Sequence, residues 1–155
     1  MFKSCFVAII LLLTSIAFCS EKKTIRDAHG KVVGTATTDG NKTVYRDAHG
    51  KVTGTATTNG NKTTYRDATG KAVGTATENG SRTTFRDSSG KTTGTATTNG
   101  NRTTFREATG ASAGSSASSG SHTTYRDAHG NIVGTSTSTG SGTSKTPPIL
   151  NPTSK

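Results

Sequence analysis

A period of twenty residues constrains this chain more than any other feature. Six consecutive units fill residues 21–140, and an arginine and three glycines return at the same places in every one. The unit NKTVYRDAHGKVTGTATTNG over 41–60 is followed by NKTTYRDATGKAVGTATENG over 61–80. A module of this size cannot bury a core alone, so each unit must lean on its neighbours.

Turn chemistry sets the elements within a unit. Asn-Gly and Asp-Gly readily take the positive φ of a type I′ hairpin turn, and they occur at Asp39-Gly40, Asn59-Gly60, Asn79-Gly80 and Asn99-Gly100. A second set of turn candidates lies ten residues out of phase, at His29-Gly30, His49-Gly50, Thr69-Gly70, Ser89-Gly90, Thr109-Gly110 and His129-Gly130. Two turns of two residues leave two strands of eight per unit. The expected fold is all-β, a repetitive antiparallel meander of about twelve short strands, with a β-solenoid as the alternative.

Register follows from the turns, because residues opposed across a hairpin share a face. Around Asn59-Gly60, Gly54 is expected opposite Tyr65, Ala56 opposite Thr63 and Val52 opposite Asp67. Around Thr69-Gly70, Tyr65 is expected opposite Gly74 and Ala72 opposite Asp67. One face then collects Tyr65, Val52, Ala72, Ala56 and Ala76. The other collects Arg66, Lys62, Thr53, Thr55, Thr57, Thr64, Thr75 and Thr77. Tyr45, Tyr65, Phe85, Phe105 and Tyr125, with Ile25 in the first unit, would each have glycine on both neighbouring strands, shielding bare backbone. One ring and a few small groups per unit is a thin apolar face, so a single layer must curl, stack or dimerise. The fifth unit, ASAGSSASS over 111–119, is expected to fray.

Before the repeats, residues 1–19 read as an export signal peptide, with Lys3, an apolar run over 6–13, and small residues Ala17 and Cys19 before the polar start at Glu21. The apolar run is shorter than the ~20 residues that span a bilayer. Cys19 is also a possible lipidation site, although Phe18 is bulky where a lipid-anchoring box wants a small residue. Cleavage removes Cys5 and Cys19, which leaves no cysteine and no disulfide framework. Repeats then occupy 20–140. Pro147, Pro148 and Pro152 break the pattern in a C-terminal tail, 141–155, expected to be disordered.

Chemistry normally needs a base, a nucleophile and a charge-stabilising group converging in one place, whereas here every candidate is laid out in rows. Asp47, Asp67, Asp87 and Asp127, with Glu107, are expected to anchor the turns that follow. His29, His49 and His129 share a turn position about 10 Å apart, two strand spacings, too far for ligands that must each sit about 2 Å from one metal ion. No catalytic residue, metal site, cofactor or small-molecule substrate is expected.

The leading site is a row of cations on the threonine face. Arg26, Arg46, Arg66, Arg86, Arg106 and Arg126, joined by Lys42 and Lys62, would recur at about 10 Å and suit an extended polyanion. With Lys3 removed, 18 Lys and Arg face 9 Asp and Glu, a formal charge of +9. That balance favours anionic glycans or lipid headgroups as partners. The alternative role is a solvated face that keeps sheet edges from aggregating.

The segment 60–71, GNKTTYRDATGK, resembles the YD repeats of Rhs-type bacterial surface and toxin proteins, whose order is Gly-x-x-Thr, Tyr, Asp, x-x-Gly-basic. Here Arg66 separates Tyr65 from Asp67. The resemblance implies β-hairpin repeats and bacterial export, without an activity. The family builds long strand shells, and six units are expected to be too few to enclose anything. Curli-like amyloid subunits are a second comparison, but their stacking uses Gln and Asn ladders and this chain has no glutamine. Rows such as Thr53, Thr55 and Thr57 resemble the threonine arrays of ice-binding proteins, with Arg and Lys interrupting the match.

These readings converge on an exported, non-enzymatic structural, adhesion or binding module of the bacterial periplasm or surface. A self-associating fibre subunit is the alternative; ice binding and hydrolysis stand behind it.

Overall fold

The structure is a computed structural model and describes residues 20–140. The signal peptide expected over 1–19, Cys19 included, and the tail over 141–155 lie outside the described residues. Twelve strands follow in chain order: β1 Glu21–Asp27, β2 Val32–Asp39, β3 Lys42–Asp47, β4 Val52–Asn59, β5 Lys62–Asp67, β6 Ala72–Asn79, β7 Arg82–Asp87, β8 Thr92–Asn99, β9 Arg102–Glu107, β10 Ser112–Ser119, β11 His122–Arg126 and β12 Ile132–Thr139. Each pairs antiparallel with its chain neighbours, and β12 returns to pair with β1, so the meander closes into a barrel rather than coiling as a solenoid. Closure corrects the expectation that six units enclose nothing.

Both turns differ from their sequence reading. Asn59 pairs with Lys62, so the tight loop is Gly60-Asn61, one residue later than expected. Gly60 has φ +59° and no described non-glycine residue has positive φ, which makes this a type II′ turn with glycine first rather than type I′. At the other end Gly70 N donates to Asp67 O at 3.1 Å and Asp67 N to Lys71 O at 3.0 Å. Gly70 sits at φ +89° and closes a three-residue loop, a type I turn with a glycine bulge.

A second irregularity follows at once. Tyr65 lies opposite Gly74, but Arg66 lies opposite Ala72, which leaves Val73 as an extra residue. Most units therefore alternate strands of six and eight residues. The bulge moves Ala72, and Val52 in the preceding unit, to the arginine side instead of the tyrosine side. Val33 and Val73 remain 46% exposed on the outer wall.

Alternation itself holds. The rings, Ala36, Ala56, Ala76 and Ala96 point inward, with Tyr65 and Tyr125 buried, and the arginines point outward and are exposed. The shifted tight loop changes what flanks each ring, since Tyr65 has Gly74 on one side and Ala56 on the other, not glycine on both. Gly54 instead lies opposite Asp67, where a Cβ would stand 2.5 Å from the Arg66 carbonyl oxygen. Its role is to let two backbones cross closely. The fifth unit keeps both strands, but its pairing with β11 stops one residue short, at Ser115 opposite Arg126 where the preceding hairpins end on glycine opposite Asp or Glu, and Gly114 takes φ +133°. Gly114 and Ser116 occupy the inward positions there and are buried.

Closure rests on a stagger that accumulates. Crossing the wall from Tyr45 through Gly54 reaches Asp67, two residues beyond Tyr65. The same offset recurs to the last step, from Tyr125 through Gly134 to Asp27. Six offsets of two residues give a total stagger of twelve over twelve strands, one residue per strand. With a rise of about 3.3 Å and a spacing of about 4.8 Å, the strands tilt about 35°, within the range that lets a sheet close.

Candidate functional site

Every odd-numbered strand runs the same way, so the barrel has two unlike rims. One carries the tight loops together with Ser20 and Gly140, where the described chain begins and ends. The other carries the six three-residue loops, and around it lies the whole arginine row.

Each guanidinium is fixed by the loop beyond it. Arg26, Arg46, Arg66, Arg86, Arg106 and Arg126 each donate from Nη1 to the carbonyl oxygen four residues on, at Gly30, Gly50, Gly70, Gly90, Gly110 and Gly130, all at 2.9 Å. Sequence reasoning placed these arginines together on the polar face of the sheet but missed this clamp. Its signal is the unbroken four-residue spacing from arginine to turn glycine. An arginine has five N–H donors in a rigid fork, so a single bond holds the group in place while most donors face solvent.

The aspartates do anchor the turns. Asp67 Oδ1 accepts from Thr69 N at 2.9 Å, Thr69 Oγ1 at 2.6 Å and Lys71 N at 3.0 Å. The Thr69 hydroxyl, then the backbone amides, hold this carboxyl below its ordinary range. Asp87 and Asp127 are lowered in the same way, by Ser89 and Asn131 first. His29, His49 and His129 present backbone amides to Asp27, Asp47 and Asp127. Closure sets the three on adjacent loops, yet among the described residues no group of three or more His, Cys, Asp or Glu could hold a metal ion.

Lys31, Lys51, Lys71 and Lys91 add exposed cations to the arginine rim. Lys42 and Lys62 are also exposed but lie at the starts of β3 and β5, toward the opposite rim, so the structure separates them from the arginines. Among the described residues one ion pair forms, Lys23 Nζ to Glu21 Oε1 at 3.9 Å, and no arginine of the row is neutralised by a carboxylate.

That ion pair belongs to the barrel interior. Lys23 takes the inward place that Thr43 and Thr63 fill elsewhere, and the Ser138 hydroxyl bonds Glu21 across the β1–β12 seam. Thr38–Thr43 and Thr58–Thr63 hydroxyl pairs at 2.9 Å, with Thr98–Thr103 and Ser118–Thr123 at 3.0 Å, continue this polar belt. Beyond it lie the rings, where burial pushes Tyr45 up to about 12 and raises Tyr65 and Tyr125 as well.

Against known proteins, no family model and no curated protein matches the chain.

Proposed function

We propose that this protein is an exported, non-enzymatic structural and adhesion module of a bacterial periplasm or surface, and that it holds anionic polymers on the arginine rim. The carrying observation is the ring of six guanidiniums clamped by turn carbonyls. Six Arg and four Lys there oppose five Asp and one Glu. With walls about 22 Å apart, equivalent arginines recur about every 11 Å around the rim. Their fixed forks suit carboxylate, sulfate or phosphate groups along a chain, and ordering them in advance spares entropy on binding.

Two further features support the reading. An outer wall of Arg, Lys and Thr is the inverse of the apolar band that faces lipid in a membrane barrel. Closure leaves no sheet edge for a cross-β fibre to extend, which weighs for a discrete module over a fibre subunit. The export signal and YD-like repeats weigh for bacterial secretion.

Heparin affinity at low and rising salt tests the proposal. Binding should weaken steeply with salt, and Lys51→Gln, Lys71→Gln and Lys91→Gln together should reduce both affinity and salt slope without touching the turns. Replacing Arg46, Arg66 and Arg86 by Ser should abolish most binding. No binding at low salt, or unchanged binding in both triple variants, refutes the polyanion reading.

A further inference from the structure

The inward face is lined too thinly to fill the barrel. Strand tilt follows the ratio of stagger to strand number, and that ratio is one here, as in the eight-stranded barrel whose Val, Ile and Leu layers pack its interior solid. At equal tilt the circumference scales with strand number. Twelve strands therefore enclose about 2.25 times the cross-section of eight while supplying about 1.5 times the inward residues per level. Those residues are also small, since one hairpin presents Gly54, Ala56, Thr58, Thr63 and Tyr65. Opposite walls stand about 22 Å apart at the spacing and tilt above. The lining is uneven: Tyr65 and Tyr125 are buried, whereas Thr83, Phe85, Thr103 and Phe105 point inward yet are only half-buried, which puts the open part of the lumen beside β7 and β9.

We propose that this lumen is a binding site for a small planar apolar molecule with a polar head. Of the belt of rings on alternate strands, Tyr45, Phe85 and Phe105 are the half-buried members, and their faces take a planar apolar body by stacking and area burial. Toward the tight-loop rim, the threonine hydroxyl pairs and the Glu21–Ser138 seam form the polar end that receives the head. The site is separate from the arginine rim, which lies on the outer wall, so either can fail without the other.

Fluorescence titration with N-phenyl-1-naphthylamine tests it on protein purified from the exported fraction. The site requires saturable binding of about one probe per barrel. Thr83→Phe narrows the lumen and should weaken binding at least tenfold, whereas Thr84→Phe on the outward side of the same strand should leave it unchanged. Phe105→Leu removes one ring and should weaken binding several-fold. The proposal is overturned by absence of saturable binding, by equal losses in the Thr83 and Thr84 variants, or by a folded Thr83→Phe barrel that binds like the parent. Should Thr83→Phe fail to fold by circular dichroism, Phe105→Leu decides alone, and unchanged affinity there overturns the site.

Discussion

Gly54→Ala isolates the close crossing on which each hairpin depends. The added Cβ meets the Arg66 carbonyl oxygen at 2.5 Å, and ordinary contact begins at 3.4 Å, so β4 and β5 must move apart at the point where Gly54 opposes Asp67. The obstacle is backbone, which has no rotamer to change. Overpacking of this kind costs about 1–3 kcal/mol. Loss of glycine's freedom in the unfolded chain offsets about 0.4–1 kcal/mol, leaving a net destabilisation of about 1.3 kcal/mol at the middle of the two ranges, roughly tenfold in the folding equilibrium. Equilibrium urea unfolding should show a lower midpoint at unchanged slope. Thr55→Ala, on the outward side of the same strand, should stay within about 0.5 kcal/mol of the parent. A Gly54→Ala protein as stable as the parent refutes the crossing argument.

Acid should loosen the arginine rim. Asp67, Asp87 and Asp127 are lowered in the folded state by hydrogen bonds, so their stabilisation is present above the ordinary carboxylate value near 3.9 and is lost as pH falls through the lower folded values. Asn at all three positions should flatten that acid limb in a pH series of urea midpoints. At the alkaline end burial raises Tyr45 to about 12, so the stability that neutral phenols confer is intact below pH 10 and is lost as pH climbs toward 12; a phenolate absorbance titration should show little ionisation near pH 10 until the barrel opens. Tyr125→Phe strips the Ser136 hydroxyl, 1% exposed, of its partner at 3.2 Å and should cost about 1–2 kcal/mol in thermal or urea unfolding. Adding Ser136→Ala, the residue found at Ala36, Ala56, Ala76 and Ala96, should recover most of it.

Local alternation was legible in the sequence and global closure was not. Tyr65 and Arg66 declare opposite faces through the two-residue period of a strand, and any even shift of register preserves that assignment. The tight loop could be read as Asn59-Gly60 or Gly60-Asn61 from the same letters. The choice slides β4 against β5 by two residues, which exchanges glycine for alanine beside Tyr65 and sets the stagger. Closure depends on that stagger summed over six units, a quantity no single unit displays. Val52 and Ala72 were misplaced because bulges are not visible in a hydropathy pattern. The aspartate anchors were legible from turn chemistry, whereas the arginine clamp needed the loop's shape to bring the Gly70 carbonyl within reach of Arg66.

Closure is tested most directly at the seam between the first and last strands. Thr24 and Thr137 are opposed across β1 and β12, and directly opposed Cα atoms lie about 4.5–5.5 Å apart, within disulfide reach. In a chain starting at Ser20, which lacks Cys5 and Cys19, Thr24→Cys with Thr137→Cys should oxidise to a single intrachain disulfide in the monomer at native pH and resist reduction until unfolded. Free thiols, or only crosslinks between chains, would contradict a closed twelve-stranded barrel.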